Sequence, residues 1–239
     1  MSASVRRVFA NLEALAAAAA DHFANDMRRA VGERGRYAIA LTGSSVVPPV
    51  YRALAARRDL PWPSLEVFWG DERAVPPHHP DSNQRMARET LLDAVSIPSS
   101  RIHPMIGDAD EDLEHAARRY ESTLRATLGD PPLLDCVHLG VGPDGHICSL
   151  FPSHPASAER RRLVVPVFDA PKAPPRRLTF TMSVLEHARS LWFFVTGESK
   201  AAVVRAALED PASALPVAVA ARRARAALWY LDEAAASLL

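Results

Sequence analysis

The stretch Leu134–Pro152, LDCVHLGVGPDGHICSLFP, constrains the fold more than any other part of the chain. Leu134 to Val141 is an apolar run interrupted only by Asp135, His138 and Gly140. A run of that length, rich in aliphatic and β-branched residues, reads as a strand buried on both faces. It breaks at Gly142-Pro143-Asp144-Gly145, which is strong turn punctuation. His146 follows, with Asp144 two residues before it. Open α/β sheets bind ligands beyond the carboxyl ends of their strands. A carboxylate, a flexible glycine and a titratable imidazole therefore gather where such a fold does chemistry. Taken alone, D-G-H is equally a tight turn with a surface histidine, so other stretches must decide.

Short apolar runs alternate with helical patterns from end to end. Val5 to about Val31 reads as a long amphipathic helix, with Val8, Leu12, Leu15, Ala19, Phe23 and Met27 on one face. Tyr37–Leu41 is a strand that runs into Thr42-Gly43-Ser44-Ser45, and Pro48-Pro49 opens a second helix. Strand, Gly/Ser loop and helix is the layout of a phosphate cradle, in which free N–H groups and the helix dipole face an anion. The plain alternative is an ordinary βα turn.

Leu65–Trp69 is the next strand and ends in Gly70-Asp71-Glu72-Arg73, charge again at a strand's carboxyl end. Asp81-Ser82-Asn83 supplies helix-start residues. A helix from Asp108 to Leu128, capped by Asp108 or Asp110, leads into the Leu134 strand. Leu163–Phe168, Arg177–Met182, Leu191–Thr196 and Ala226–Leu231 are further strands. Ser183-Val184-Leu185-Glu186 matches a capping box, and a short Ala-rich helix is expected after Asp232. Gly197-Glu198-Ser199-Lys200 opens a helix through Leu208. A lysine in a first helical turn opposes the dipole, and a bound anion would explain it. The order predicts an α/β fold with a mostly parallel, doubly covered sheet, in one domain spanning residues 1–239.

Charge and cysteine content remove several function classes. The 28 basic and 28 acidic residues cancel, so no excess of positive charge points to nucleic acid or to acidic membranes. Two cysteines, Cys136 and Cys148, make no disulfide framework, and buried reduced thiols in a cytoplasmic protein are the expectation. The N-terminus lacks a signal-peptide layout, and no apolar run reaches membrane-spanning length. His78-His79 is not accompanied by the ligand spacing of a zinc site, so no metal is expected.

Four stretches together resemble one family. They are Leu41–Ser45 with Tyr51; Trp69-Gly70-Asp71-Glu72-Arg73 with Ser82-Asn83; Leu139–His146 with Ser149-Leu150-Phe151-Pro152; and Arg177–Thr181 with Gly197–Lys200. In this order they are similar to the 6-phosphogluconolactonase branch of the glucosamine-6-phosphate isomerase/deaminase superfamily. The resemblance implies a Rossmann-like sheet of the glucosamine-6-phosphate deaminase type. It also implies hydrolysis of 6-phospho-D-glucono-1,5-lactone in the pentose phosphate pathway, with no cofactor.

The chain departs from the family pattern at Ser44, where a second glycine is usual, and at Val46-Val47, where Thr-Pro is usual. Ile147 is more typical of the deaminase branch. Against that branch stand Phe151, where the deaminases carry a Glu, and Arg73, where they carry a Tyr.

The implied roles follow residue by residue. His146 is the general base, and Asp144 either orients it or pairs with Arg73. Arg73, Lys200 and the loop Thr42, Gly43, Ser44 and Ser45 hold the phosphate. Asp71 lies at the same strand end. Gly142 and Gly145 shape the turn, which would supply backbone N–H donors to the developing oxyanion. The partner is a small phosphosugar lactone, and the chain is expected to be a monomer or weak homodimer. The competing readings are a glucosamine-6-phosphate deaminase/isomerase with Asp71 as base, a non-catalytic phosphosugar-binding domain, and, more remotely, a thiol mechanism through Cys148.

Overall fold

The computed structural model describes residues 3–107 and 111–239. Its centre is a six-stranded, fully parallel sheet. The strands are β1 (Ala3–Phe9), β2 (Tyr37–Leu41), β3 (Leu65–Trp69), β5 (Cys136–Gly140), β8 (Leu191–Val195) and β9 (Ala226–Asp232), in the order β1-β9-β8-β5-β2-β3. A smaller antiparallel sheet, in the order β4-β7-β6, is formed by β4 (Asp71–Arg73), β6 (Val164–Val167) and β7 (Arg177–Phe180).

Every residue of β2, β3 and β8 is buried. Successive side chains of a strand point to opposite faces, so the central sheet is covered on both. The helices are α1 (Leu12–Arg34), α2 (Val47–Ala55), α3 (Asn83–Thr90), α4 (Leu113–Leu128), α5 (Pro155–Ala158), α6 (Met182–His187), α7 (Ala201–Glu209) and α8 (Pro216–Arg223). α1 buries Leu15, Ala19, Phe23 and Met27 at spacings of four. Truncating Phe23, which is fully buried and edge-on to Tyr37, would cost roughly 3–5 kcal/mol. Trp192 and Trp229 fill the sheet's core, the latter stacked on Phe193 at 4.4 Å.

The strand order places the site. From β2 the chain moves outward to β3, whereas from β5 it moves the other way to β8 and β9. The direction reverses between β2 and β5, which pair directly. The loop after β2 and the turn after β5 therefore leave the sheet side by side, at the topological switch point where α/β folds open a crevice. Gly70 joins the two sheets: its N–H donates to Leu41 O at 2.9 Å and its carbonyl accepts from Phe180 N at 2.8 Å.

Several sequence expectations need correction. The first element is a strand followed by a helix, not one helix from Val5. β1 pairs in parallel with β9, and α1 starts after Asn11, whose side chain accepts from Ala14 N at 2.9 Å. Val5 and Val8 sit on this edge strand and are largely exposed. The expected caps Asp108 and Asp110 lie outside the described residues, and α4 is capped by Asp112, which accepts from His115 N. The capping box at Ser183 is not used, because α6 starts at Met182 and the Ser183 hydroxyl donates to Arg160 O. Residues 233–239 form turns rather than a helix. No helix among the described residues is long and apolar enough to cross a membrane.

Candidate active site

A cleft of about 250 Å³ opens at the switch point. The loop after β2 contributes Thr42, Gly43, Ser44 and Ser45. Tyr51 on α2 fixes the start of that loop, its hydroxyl accepting from Thr42 N at 3.1 Å and lying 3.3 Å from Thr42 O. A Cβ on Gly43 would fall 1.7 Å from Asn83 Oδ1, so the loop can lie against Asn83 only as glycine. Glu72 sets Asn83 in turn, accepting from the N–H groups of Asn83 and Gln84 at the start of α3. Burial pushes the Glu72 carboxyl up to about 7, against the pull of these donors. Among the described residues the N–H groups of Gly43, Ser44 and Ser45 make no backbone hydrogen bond, which leaves them available to an anion.

Ser44, the departure from the glycine pattern, is accommodated by Gly140 across the crevice. A Cβ at Gly140 would come within 2.5 Å of Ser44 Cβ. The Ser44 hydroxyl turns back to accept from Val46 N at 3.3 Å.

β4 brings Asp71 and Arg73 to the cleft. Asp71 accepts from Ser149 Oγ at 2.8 Å, and Asn83 Nδ2 donates to its backbone carbonyl at 2.8 Å. Arg73 donates from Nη1 to Asp81 O at 2.6 Å, which holds the guanidinium by one edge.

After β5, the Gly142–Gly145 turn carries His146 into the cleft. Its Nδ1 lies 2.6 Å from Asp144 Oδ1. A carboxylate only accepts, so Nδ1 carries the proton and Nε2 keeps its lone pair. The imidazole also packs on the Phe151 ring at 4.7 Å. Burial lowers the His146 pKa below its ordinary value, and nearby Lys172 lowers it further, while Asp144 and Asp71 oppose the shift. Asp144 is held below the usual carboxylate range: burial acts to raise it, and the bond to His146, the charge on that ring, a backbone N–H and Lys172 together more than offset this.

Not every expected site residue reaches the cleft. Asp144 is bonded to His146 and does not line the cavity, and Gly145, at φ 85°, faces Leu215 while its carbonyl accepts from Val217 N at 3.1 Å. Of the turn's backbone donors, the two glycine N–H groups are engaged. Gly142 N–H donates to His146 O, Gly145 N–H donates to Gly142 O, and Pro143 has no N–H.

Lys200 lines the cleft from a single 3₁₀ turn ahead of α7, its Nζ donating to Val141 O at 2.7 Å. Burial and the neighbouring Lys172 lower its pKa. Among the described residues no group of three or more His, Cys, Asp or Glu side chains could hold a metal ion.

The family model for glucosamine-6-phosphate isomerases/6-phosphogluconolactonase matches residues 10–229. The chain belongs to this family. A 6-phosphogluconolactonase of Mycobacterium tuberculosis is 42% identical over 248 residues, covering 100% of this chain and 99% of the relative. One of Rattus norvegicus is 45% identical over 214 residues, covering 87% and 82%. The solved 6-phosphogluconolactonase of Trypanosoma brucei superposes with a TM-score of 0.87 at 28% identity, covering 100% of both chains. A monomeric glucosamine-6-phosphate deaminase superposes at 0.82 with 24% identity, a likeness of fold.

Two charged cleft residues, Lys172 and Arg177, have no role assigned from the sequence, and Cys148, the residue of the remote thiol reading, also lines the cleft. Burial pushes the Cys148 thiol well above its ordinary pKa, so it stays protonated and is a poor nucleophile. In the sequence Arg177 is visible as the start of a strand and of one stretch of the family resemblance, and Lys172 lies in the Pro171–Pro175 segment just before it. Their shared signal is that loop's position directly before β7.

Proposed function

We propose that the chain opens 6-phospho-D-glucono-1,5-lactone by adding water at C1, with His146 as general base and the phosphate held by Arg73, Lys200 and the Thr42–Ser45 loop. The carrying observation is the Asp144–His146 bond inside a cleft lined by Arg73 and Lys200. It leaves the Nε2 lone pair free in a cavity whose other charged groups are four cations, Arg73, Lys172, Arg177 and Lys200, and one carboxylate, Asp71. His146 takes a proton from water as the oxygen bonds C1. The bond from C1 to the ring oxygen then breaks, and the ring oxygen takes the proton back from the imidazolium. The new carboxyl group ionises and releases one proton to solvent. The phosphate stays put, so its cations supply binding rather than chemistry.

Phe151 supports the lactonase branch over the deaminase branch, since an apolar ring packs on His146 where the deaminases carry a carboxylate. The protein is taken to be a monomer or weak homodimer, and light scattering on the purified protein tests that state. The deciding experiment is hydrolysis of freshly generated lactone, followed by proton release against the spontaneous rate. The wild type should exceed that rate by orders of magnitude, and His146→Ala should lower kcat by roughly 10²–10⁴-fold. Ammonia release from glucosamine 6-phosphate with no lactone opening would reverse the assignment.

A further inference from the structure

Cleavage of the lactone places negative charge on the C1 oxygen, and the Gly142–Gly145 turn spends its glycine N–H groups on itself. A cation facing that oxygen would stabilise the charge beyond what the rest of the turn can offer. Four cationic side chains line the cleft: Arg73, Lys172, Arg177 and Lys200. Arg177 is committed to the protein. Its Nε donates to Pro174 O at 2.8 Å and its Nη2 to Lys172 O at 2.8 Å. Nη1 lies 3.4 Å from Ser149 Oγ, and the guanidinium sits over the Phe151 ring at 5.6 Å. Arg73 and Lys200 serve the phosphate in the reading above. Lys172 remains, and it stands at the reacting end: its Nζ is 3.7 Å from Asp144 Oδ1, the atom that also holds His146.

We propose that Lys172 is a further catalytic residue, the cation that faces the oxyanion at C1 and then the product carboxylate, and that Arg177 is the positioning residue that holds its loop over the Asp144–His146 pair. The inference rests on the lactonase reading. The loop segment Lys172–Pro174 has its carbonyls gathered on one buried guanidinium, so the lysine's backbone is fixed while its side chain reaches into the cleft. The charged groups facing His146 are Asp144, Lys172 and Asp71. Arg177 also sits over the Phe151 ring that packs on His146, so the Lys172→Met background is what separates an effect through Lys172 from one through that ring.

The test is Lys172→Met, with Lys172→Arg as the rescue and Lys172→Gln should the Met variant fail to fold. Competitive inhibition is measured with 6-phosphogluconate, which has a carboxylate at C1, and with sorbitol 6-phosphate, which has none. The neutral variant should lose roughly 10²-fold in kcat, the scale of one lost oxyanion donor. Inhibition by 6-phosphogluconate should weaken about 10-fold, as for a charged hydrogen bond, while sorbitol 6-phosphate binds as before. The acid limb of the pH–rate profile should move to higher pH, because a cation that disfavours imidazolium is gone. Arg177→Gln should move the limb the same way in the wild type and leave it in place in the Lys172→Met background. Equal weakening of both inhibitors would make Lys172 a phosphate ligand and overturn the inference, as would an unchanged kcat and limb in a folded variant. A wild type without lactone opening would instead overturn the functional reading beneath it.

Discussion

The Cα of Gly142 lies directly against the imidazole of His146: a Cβ there would fall 2.0 Å from Nδ1 and 2.4 Å from Asp144 Oδ1. Any side chain at position 142 therefore pushes the imidazole off its carboxylate. Misplacing a reacting group by about 1 Å costs on the order of 10² in rate. Gly142→Ala should lower kcat by about that factor while the far-ultraviolet circular dichroism stays that of the wild type. A variant with full kcat would show that the His146–Asp144 contact is dispensable.

Asp144 and Lys172 pull the His146 pKa in opposite directions, which gives the pH profile a checkable sign. The base must be neutral, so activity rises with pH through the His146 pKa. That pKa lies below the ordinary histidine value because of burial, and Asp144 is the group that resists the fall. Asp144→Asn should move the acid limb of kcat/KM still lower, and should lower kcat by roughly 10²-fold through lost orientation. A limb that moves to higher pH would contradict the assignment.

Arg73 is held through Nη1 by Asp81 O and lines the cleft. Arg73→Ala should raise KM by roughly 10–100-fold, the value of a charged hydrogen bond, with kcat changed far less. Steady-state kinetics decide it. A variant that keeps its KM and loses kcat would put Arg73 at the reacting end instead of the phosphate end.

The contrast between what was readable and what was not follows from the range of the interactions. Tyr37–Leu41, Leu65–Trp69 and Leu191–Val195 announce themselves because strands buried on both faces must be continuously apolar. β1 does not, because an edge strand needs only one partner and its partner, β9, lies at the far end of the chain. Val5 and Val8 then mimic a helical spacing that Asn11, the true cap, interrupts. Residues 71–73 read as a charged turn because three residues cannot show a strand period. Their pairing with β7 is set by the bend at Gly70. The site behaves the same way. His146 and Asp144 are two residues apart and visible, whereas Lys172 reaches Asp144 only because Arg177 gathers the carbonyls of its loop.

His138 offers a test of the core rather than the cleft. It sits in β5, fully buried, with neither ring nitrogen hydrogen-bonded, against Tyr51, Trp192 and Phe194. Burial lowers its pKa to about 3, so the folded protein keeps it neutral. The unfolded chain protonates it near the ordinary value of about 6.5. A group whose folded pKa is depressed in this way binds more protons when unfolded. Its stability contribution is complete above the unfolded pKa and is lost as pH falls from there towards 3. At roughly 1.4 kcal/mol per unit, the loss by pH 4.5 is about 2–3 kcal/mol. For a chain of this size that is a fall in Tm of roughly 5–10 °C from this residue alone. His138→Leu, similar in volume and without a charge to acquire, removes that component and the two unbonded nitrogens. Melting both proteins at pH 7 and pH 4.5 cancels the carboxylates they share. The wild type should lose more of its Tm than the variant by about that amount. Equal losses would mean that His138 titrates normally, with water reaching its ring.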